Sequence, residues 1–155
     1  MSEFLRAGDI ISGQEGKITF DINGNIELGG YVKNVEASAE KEKSDIKVLG
    51  HRGTQSKTVG WSGSGSMTLY YITPLFRKMM LDYIKTGKDT YFTIIIENED
   101  PASTVGKQTI VLYNCNIDSV VLAKLDVDST ELDEDIDFTF DNADMQDSFS
   151  APTLV

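Results

Sequence analysis

The chain has 155 residues, of which 40% are hydrophobic and 9% aromatic, a composition typical of one folded domain. Its net charge of −11 argues against a protein that grips nucleic acid, because such proteins need clustered Lys and Arg. A single cysteine excludes an internal disulfide and favours a reducing compartment such as the cytoplasm. Neither a signal peptide nor a membrane span is expected, since no apolar run approaches the ~20 residues that a span needs.

The first segment, residues 1–16, combines three glycines with four large apolar side chains. These apolar residues are Phe4, Leu5, Ile10 and Ile11. They favour an arm that packs on something, such as a neighbouring subunit, whereas a loosely attached terminus explains the glycines equally well. Both interpretations stay open.

A β-hairpin is predicted directly after this arm. Residues 17–22 alternate apolar and polar side chains, and Asn23-Gly24 is a strong two-residue hairpin turn. Residues 26–35 are the predicted return strand.

Residues 36–57 are a highly charged excursion of both signs with an isolated apolar patch near its centre. Long polar excursions inside a compact domain are usually functional or mobile. One interpretation is a solvated loop or an exposed hairpin, and the other is a projecting arm that docks on a second copy. The patch of Ile46, Val48 and Leu49 favours docking, because exposed apolar residues amid charges need a partner.

Residues 58–71 are predicted to be a strand with one small, polar face. That face is formed by Thr58, Gly60, Ser62, Ser64, Ser66, Thr68 and Tyr70. Small faces permit close backbone approach or line a smooth surface. The G-S-G-S run lacks the Lys-[Ser/Thr] ending of a phosphate-binding loop and no helix follows it directly, which disfavours that alternative.

One helix is predicted, over residues 73–87. Thr73 can serve as its N-cap, Pro74 suits the first helical position, and Gly87 can close it in the left-handed conformation. Its apolar residues, which cover about half of the circumference, are Leu75, Phe76, Met79, Met80, Tyr83 and Ile84. Such a wide face must be buried against other elements.

The remaining segments predict further strands. Residues 90–97 indicate a largely buried strand, and residues 135–141 alternate cleanly between apolar and acidic side chains. Residues 108–125 are too long for an ordinary strand and are predicted to be two strands, or one strand bent by a bulge near 116–119.

The total of about eight strands and one helix, without βαβ rhythm, predicts a mainly β fold. We expect a β-barrel or sandwich of mostly antiparallel strands with one flanking α-helix. A single domain is expected over residues 1–142, with 36–57 as a projecting loop and 143–155 as a loose C-terminal tail.

The residues offer little catalytic chemistry. The only histidine, His51, lies in the charged excursion, and Cys115 lies mid-strand, where a small core residue is the simpler interpretation. The acidic residues between 126 and 137 lack the glycine that a calcium-binding EF-hand loop needs at its sixth position. Solvated strand edges explain them better than a metal site. The pattern favours a binding or assembly protein, with no enzymatic activity and no cofactor.

Three extended segments carry a resemblance to a known family. They read S-K-T-V-G-W-S-G-S-G-S-M-T-L-Y-Y at 56–71, F-R-K-M-M-L-D-Y-I-K-T-G-K-D-T-Y-F at 76–92 and L-D-V-D-S-T-E-L-D-E-D-I-D-F-T-F at 125–140. With these segments the chain resembles the tail tube proteins of contractile-tailed phages. The likeness is to the defective-prophage (PBSX-type) branch, which includes tubes of phage-tail-like bacteriocins, and it runs from about residue 11 to residue 140.

The resemblance implies a structural subunit of a tail's inner tube. Six copies are expected to close into a ring, and rings to stack into a hollow tube inside a contractile sheath. The inner wall is expected to be one β-barrel built from all six subunits. The implied partners are sheath, baseplate and tail-terminator proteins, with DNA passing through the lumen of a phage tail without specific binding. Such a protein is made in the bacterial cytoplasm and assembled into a virion tail or a bacteriocin particle.

Together, the resemblance and the residue pattern give candidate contact residues. Candidates for contact between rings are Lys43, Ile46, Val48, Leu49 and Arg52. Candidates for the lumen or a subunit contact are Ser62, Ser64, Ser66 and Thr68. Candidates on the outer helix face, toward the sheath or a neighbour, are Arg77, Lys78, Leu81 and Lys85.

Two other functions stay open at this point. One is a secreted tube protein like that of type VI secretion systems, which also carries cargo in its ring. The other is an unrelated small β-barrel that binds a ligand, which would need an internal pocket with convergent polar groups.

Overall fold

The computed structural model describes residues 4–152 and 154 of the chain. These residues form eight strands, one α-helix and a short 3₁₀ turn at Ala7–Asp9. The strands are β1 (Gly16–Ile22), β2 (Asn25–Leu28), β3 (Val32–Ile46), β4 (Gln55–Tyr70), β5 (Phe92–Glu99), β6 (Lys107–Ser119), β7 (Asp133–Phe140) and β8 (Asn142–Asp147). The helix, α1, is Leu75–Thr86. All strand pairs are antiparallel, and the predicted fold class, mainly β with one helix, is confirmed.

The strands form one sheet that bends into two halves sharing β6. The first half has the order β2-β1-β5-β6, with β8 on the far side of β6, and the second half is β6-β7-β4-β3. Register shifts interrupt the pairing of β6 with both β5 and β7. Asn114 of β6, at the first of these shifts, has a φ of +55°. Such irregularities bend a strand and increase its twist. Of the two predicted alternatives, two strands or one bent strand, the bent strand is observed, although β6 ends at Ser119.

The inward faces of both halves meet in one hydrophobic core. Phe20 and Ile94 enter it from the first half, and Met67 and Phe138 enter it from the second. Phe76 of α1 packs edge-on against Phe20, with 5.3 Å between the ring centroids. The helix thus belongs to the same core as both halves of the sheet.

Two glycines of β4 make room for aromatic rings of β7. Gly63 lies opposite Phe140, and Gly65 lies opposite Phe138. A Cβ atom on Gly63 would lie 2.5 Å from the Phe140 ring, and one on Gly65 would collide with the Phe138 ring. The G-S-G-S run therefore alternates inward glycines, which accommodate the core aromatics, with outward serines.

Helix α1 begins later than predicted and ends where the glycine predicts. Pro74 is the residue before its first turn, and Thr73 accepts a hydrogen bond on Oγ1 from the backbone N–H of Leu75 at 3.3 Å. Gly87 has a φ of +74°, and its N–H donates to the carbonyl of Tyr83 at 2.8 Å. This left-handed closure is the one expected of glycine.

The expected outward orientation of Arg77 is wrong. Its side chain is 15% exposed, and Nη1 donates to Oε2 of Glu134 on β7 at 2.7 Å. The guanidinium also lies over the Tyr71 ring, 4.3 Å from its centroid. Arg77 sits at the border of the apolar face, close enough to turn inward, and the buried carboxylate of Glu134 gives it a reason to do so.

Two segments differ from their predicted structure. The return strand predicted over 26–35 stops at Leu28, and a separate strand begins at Val32. The tail is not loose over its first part, because Asn142–Asp147 pairs with β6 as β8. The excursion 36–57, in contrast, is the outer part of a long β3–β4 hairpin, which agrees with the interpretation as an exposed hairpin.

Candidate assembly surfaces

The outward side of the second half of the sheet is a small, polar surface, which we call the polar sheet face. Three cross-strand rows, each running from β3 through β4 to β7, define it. They are Ser38–Ser64–Thr139, Glu36–Ser66–Asp137 and Asn34–Thr68–Asp135. Three of the four predicted lumen candidates lie in these rows, and the fourth, Ser62, pairs with Glu40 one row further along.

The polar sheet face is acidic. Glu36, Asp135 and Asp137 alternate with hydroxyl and amide side chains in its rows, and no basic residue stands among them. The hydroxyl of Thr68 donates to Asp135 Oδ1 at 2.6 Å, which holds that carboxylate in the plane of the face. A surface of short side chains and negative charge repels polyanions and offers them few contacts.

The second half of the sheet ends in two unpaired edges among the described residues. On one side, β3 pairs with β4 alone over its whole length. On the other side, residues 116–119 of β6 pair with β7. They have no partner in β5, because the pairing of β6 with β5 stops at the pair Phe92–Cys115. Exposed edges of this kind are templates for pairing with another chain.

The outer part of the β3–β4 hairpin projects as a two-stranded ribbon. The pairing of β4 with β7 begins only at Gly63, so residues 55–62 have β3 as their one neighbouring strand. Residues 43–58 are exposed throughout, and Leu49 at the tip is completely exposed. The five predicted inter-ring residues, Lys43, Ile46, Val48, Leu49 and Arg52, all lie in this distal part.

Residues 43–57 of this hairpin, which we call the distal ribbon, are basic although the chain as a whole is acidic. Between residues 43 and 57 there are four Lys or Arg residues and one acid, Asp45, whereas the whole chain carries a net charge of −11. A basic projection on an acidic subunit is electrostatically complementary to other copies of the same subunit.

The outward side of α1 carries three of its four predicted contact residues. Lys78 and Lys85 are exposed, and Leu81 is 38% exposed. Arg77 is the exception, as described above. Sequence reasoning missed that Tyr83 and Ile84, assigned to the buried face, are 52% and 60% exposed. The width of that face, about half of the helix circumference, could have indicated that part of it is exposed, because one sheet rarely covers so wide a face.

The N-terminal arm is fastened to its own chain at Asp9. The Asp9 carboxylate accepts hydrogen bonds from the backbone N–H of Thr104 at 3.1 Å and from its hydroxyl at 2.6 Å. These hydrogen bonds hold the pKa of Asp9 below its usual value. Phe4 and Leu5 of the arm remain exposed. The arm is therefore attached to its own chain at Asp9, whereas its first described residues are not packed against it.

The single cysteine and the single histidine of the chain lie in different parts of the fold. Cys115 is buried, and burial raises the pKa of its thiol to about 12, which keeps it protonated at neutral pH. Among the described residues, the exposed ring of His51 is hydrogen-bonded to the backbone of Gly53. Within the described part of the chain, His, Cys, Asp and Glu side chains do not converge in threes as a metal site requires. No helix in residues 4–152 is long and apolar enough to cross a membrane.

The sequence is similar to that of known proteins over nearly its whole length. The sequence model of a family described as phage tail tube protein matches residues 3–147. The phage-like element PBSX protein XkdM of Bacillus subtilis is 40% identical over 146 residues, covering 94% of this chain and 97% of that protein.

Two solved structures have a similar fold. A chain from the sheath–tube complex of an extracellular contractile injection system, in the extended state, superposes with a TM-score of 0.65 at 15% identity, covering 88% of this chain and 91% of that one. The SPP1 tail tube superposes with a TM-score of 0.62 at 13% identity, covering 88% of this chain and 78% of that one.

Proposed function

Because this chain belongs to the phage tail tube protein family, we propose that it forms the inner tube of a contractile phage tail or of a phage-tail-like bacteriocin. In this proposal six copies close into a ring, and rings stack around a hollow lumen. Membership of the family removes the alternative of an unrelated ligand-binding barrel. The proposal is structural and assigns no reaction to the chain.

The observation that carries the proposal is the polar sheet face between two unpaired edges. Edge-to-edge pairing of β3 with residues 116–119 of the next copy would continue the second half of the sheet from one subunit to the next. Closing the ring in this way would pair residues 116–119 of every copy with part of the β3 edge of its neighbour. The inner wall of the ring would then consist of the polar sheet face, with Ser62, Ser64, Ser66 and Thr68 toward the lumen.

The charge of this face suits a conduit. Glu36, Asp135 and Asp137, repeated around a ring, would repel a passing nucleic acid and keep it from binding the wall. DNA in a phage tail would therefore slide through without specific contacts. The same wall serves a bacteriocin, in which no DNA passes.

The basic distal ribbon supports contact between rings. Lys43 and Arg52 supply positive charge, and Ile46, Val48 and Leu49 supply apolar surface that the subunit itself does not bury. We assign this ribbon to the adjacent ring, where acidic subunits are its complement. An isolated two-stranded ribbon is marginally stable in water, so docking would also stabilise it.

The outward side of α1 would face the contractile sheath. Lys78, Leu81 and Lys85 lie opposite the core-facing side of the helix. Baseplate and tail-terminator proteins would bind the two ends of the finished tube. In this proposal the protein is made in the bacterial cytoplasm and is assembled there into the particle.

Negative-stain electron microscopy of the purified protein at rising concentration tests the proposal. We expect rings and tubes whose end-on views have six-fold symmetry. A protein that stays monomeric at every concentration and salt condition would contradict it. The neighbouring genes separate the two particle types, because capsid and terminase genes beside this one would indicate a phage.

A further inference from the structure

A groove of about 320 Å³ lies between α1 and the end of β6. Its walls are Met79, Met80 and Tyr83 of the helix, Thr90, and Asn116 and Ile117 of β6. The side-chain amide of Asn116 donates to the carbonyl of Thr90 at 3.4 Å, which joins two of the lining residues. The groove therefore combines apolar side chains, from the helix and Ile117, with polar ones.

The apolar stripe of α1 continues out of the core into this groove. Phe76 and Met79, in the first two turns, are buried, whereas Tyr83, which lines the groove, and Ile84, which does not, are more than half exposed in the last turn. All four belong to the same face of the helix. An apolar stripe that is buried at one end and exposed at the other is a surface on which another chain can pack.

The position of the groove identifies that chain. Ile117 points toward the core, because it lies opposite Phe138, and it is one of the last four residues of β6, which lie beyond its pairing with β5. The groove is thus the inner side of one unpaired edge. In the proposed ring, the strand that arrives at this edge is β3 of the neighbouring copy.

The inner side of β3 fits the groove in size and charge. Its inward residues near the hairpin base are Val35 and Ala37, which are partly buried against the subunit's own core, and then Ala39 and Lys41, which are exposed. Small apolar side chains can pack closely against Met80 and Ile117 in the groove. Asp89 and Asp118 also line the groove, so its charge is opposite to that of Lys41.

We propose that this groove seats the inner side of β3, residues 35–41, from the neighbouring subunit of the same ring. The assignment rests on the proposed function and adds to it a contact behind the lumen wall. Each subunit would then hold its neighbour both by backbone pairing at the β6 edge and by burial of side chains against the end of α1.

Photo-cross-linking in assembled tubes tests this assignment. A benzophenone amino acid replaces Tyr83 and, as the matched control, Leu81 on the opposite side of the helix. Tubes are grown from a mixture of isotopically heavy and light protein, so that mass spectrometry separates links between copies from links within one. We expect position 83 to link to residues 32–46 of another copy, and position 81 not to link there.

Other occupants give other results. A link from position 83 to the N-terminal arm, or to any segment of its own chain, would overturn the assignment. If such a link appears while microscopy still shows tubes, the proposed function stands and only the seat of β3 is wrong. If no tubes or rings form under any condition, the proposed function fails and the assignment fails with it.

A pair of charge substitutions gives an independent readout. Tyr83→Asp should raise the protein concentration needed for tube formation by about tenfold or more, because it places a charge in a buried contact. Asp82→Lys, at an exposed position of the helix that is assigned to no contact, should change it by less than about twofold. Circular dichroism of both variants at low concentration checks that each remains folded. Equal effects of the two variants would argue against the groove as a subunit contact.

Discussion

The ion pair between Arg77 and Glu134 fastens the start of α1 to β7. Glu134 is 2% exposed, and burial raises the pKa of its carboxyl group above the ordinary 4.5, while the nearby Arg77 guanidinium opposes that rise. A raised pKa in the folded state means that the ionised carboxylate costs stability at neutral pH. That cost is absent below pH 4.5, where the group is protonated in both states, and it returns as the pH rises through the folded-state pKa.

Replacing Arg77 should therefore have a pH-dependent effect. We expect Arg77→Ala to lower the free energy of unfolding by about 3 kcal/mol at pH 7, because Glu134 is left buried without its partner. The loss should shrink as the pH falls, since Glu134 then takes up a proton. Urea unfolding at several pH values measures it, with the exposed Lys78→Ala as control. A loss that is constant with pH would mean that the charge of Glu134 is not its source.

The two glycines in β4 that face aromatic rings predict a position-specific effect of alanine. Gly65→Ala should destabilise the fold by about 2 kcal/mol, because its Cβ would collide with the Phe138 ring and lie 2.7 Å from the carbonyl oxygen of Glu36. Gly60→Ala, on the same strand, should change stability by less than about 0.5 kcal/mol. Its Cβ meets only the Glu42 carboxylate, at 3.3 Å, and that side chain can move. Thermal unfolding measures the stability of both variants. Similar losses of stability in the two would contradict the packing argument.

Among the elements, the β3–β4 hairpin offers a clean separation of folding from stacking. Ser44 pairs with Lys57, and Lys43 pairs with Thr58. Replacing residues 44–57 by an Asn-Gly turn should leave the domain folded, because these residues are exposed and touch no core residue. In the proposed tube, the shortened protein should still form rings but not stacks, as seen by electron microscopy. Normal tubes would show that the ribbon does not join the rings.

Sequence patterning succeeded where strands have one buried face and failed where they have none. Residues 135–141 and the β1–β2 turn were predictable, because β7 alternates and Asn23 and Gly24 both take positive φ values. The distal hairpin and β8 are exposed on every residue, so backbone pairing alone makes them strands and no alternation marks them. The end of β2 is marked in the sequence by Gly29, which the prediction did not use. A Cβ atom at this position would collide with Ile18 and Phe20.

The candidate surfaces were predictable one strand at a time. A period of two places Ser62, Ser64 and Ser66 on one side of β4 from sequence alone. That Glu36 and Asp137 flank Ser66 depends on the register of strands far apart in the chain, which no local pattern contains. The inward turn of Arg77 was equally hidden, because it depends on Glu134, which lies 57 residues further along.

For the molecule as a whole, the proposed tube predicts which thiols a reagent can reach. A Ser64→Cys thiol should react with a small maleimide in tubes but not with a maleimide on a polymer too large to enter the lumen. A Lys78→Cys thiol, on the outward side of α1, should react with both. Native Cys115 adds no background, because it is buried and its pKa is about 12.

Gel-shift analysis before and after assembly provides the control, since both engineered thiols should accept the large reagent in unassembled protein. If Ser64→Cys remains open to the polymer in tubes that microscopy shows to be intact, the polar sheet face does not line the lumen.

During synthesis, neither half of the sheet can close before β6 has left the ribosome, because both halves include that strand. Only the β1–β2 and β3–β4 hairpins can pair early, whereas β1 waits for β5 and β4 waits for β7. Folding that depends on such distant pairings is slow and leaves apolar surface bare in the meantime. A chain that stops short of β7 would lack the core residues Ile136, Phe138 and Phe140 and would leave the edge of β4 unpaired. Incomplete translation products are therefore expected to be aggregation-prone rather than incorporated into a growing tube.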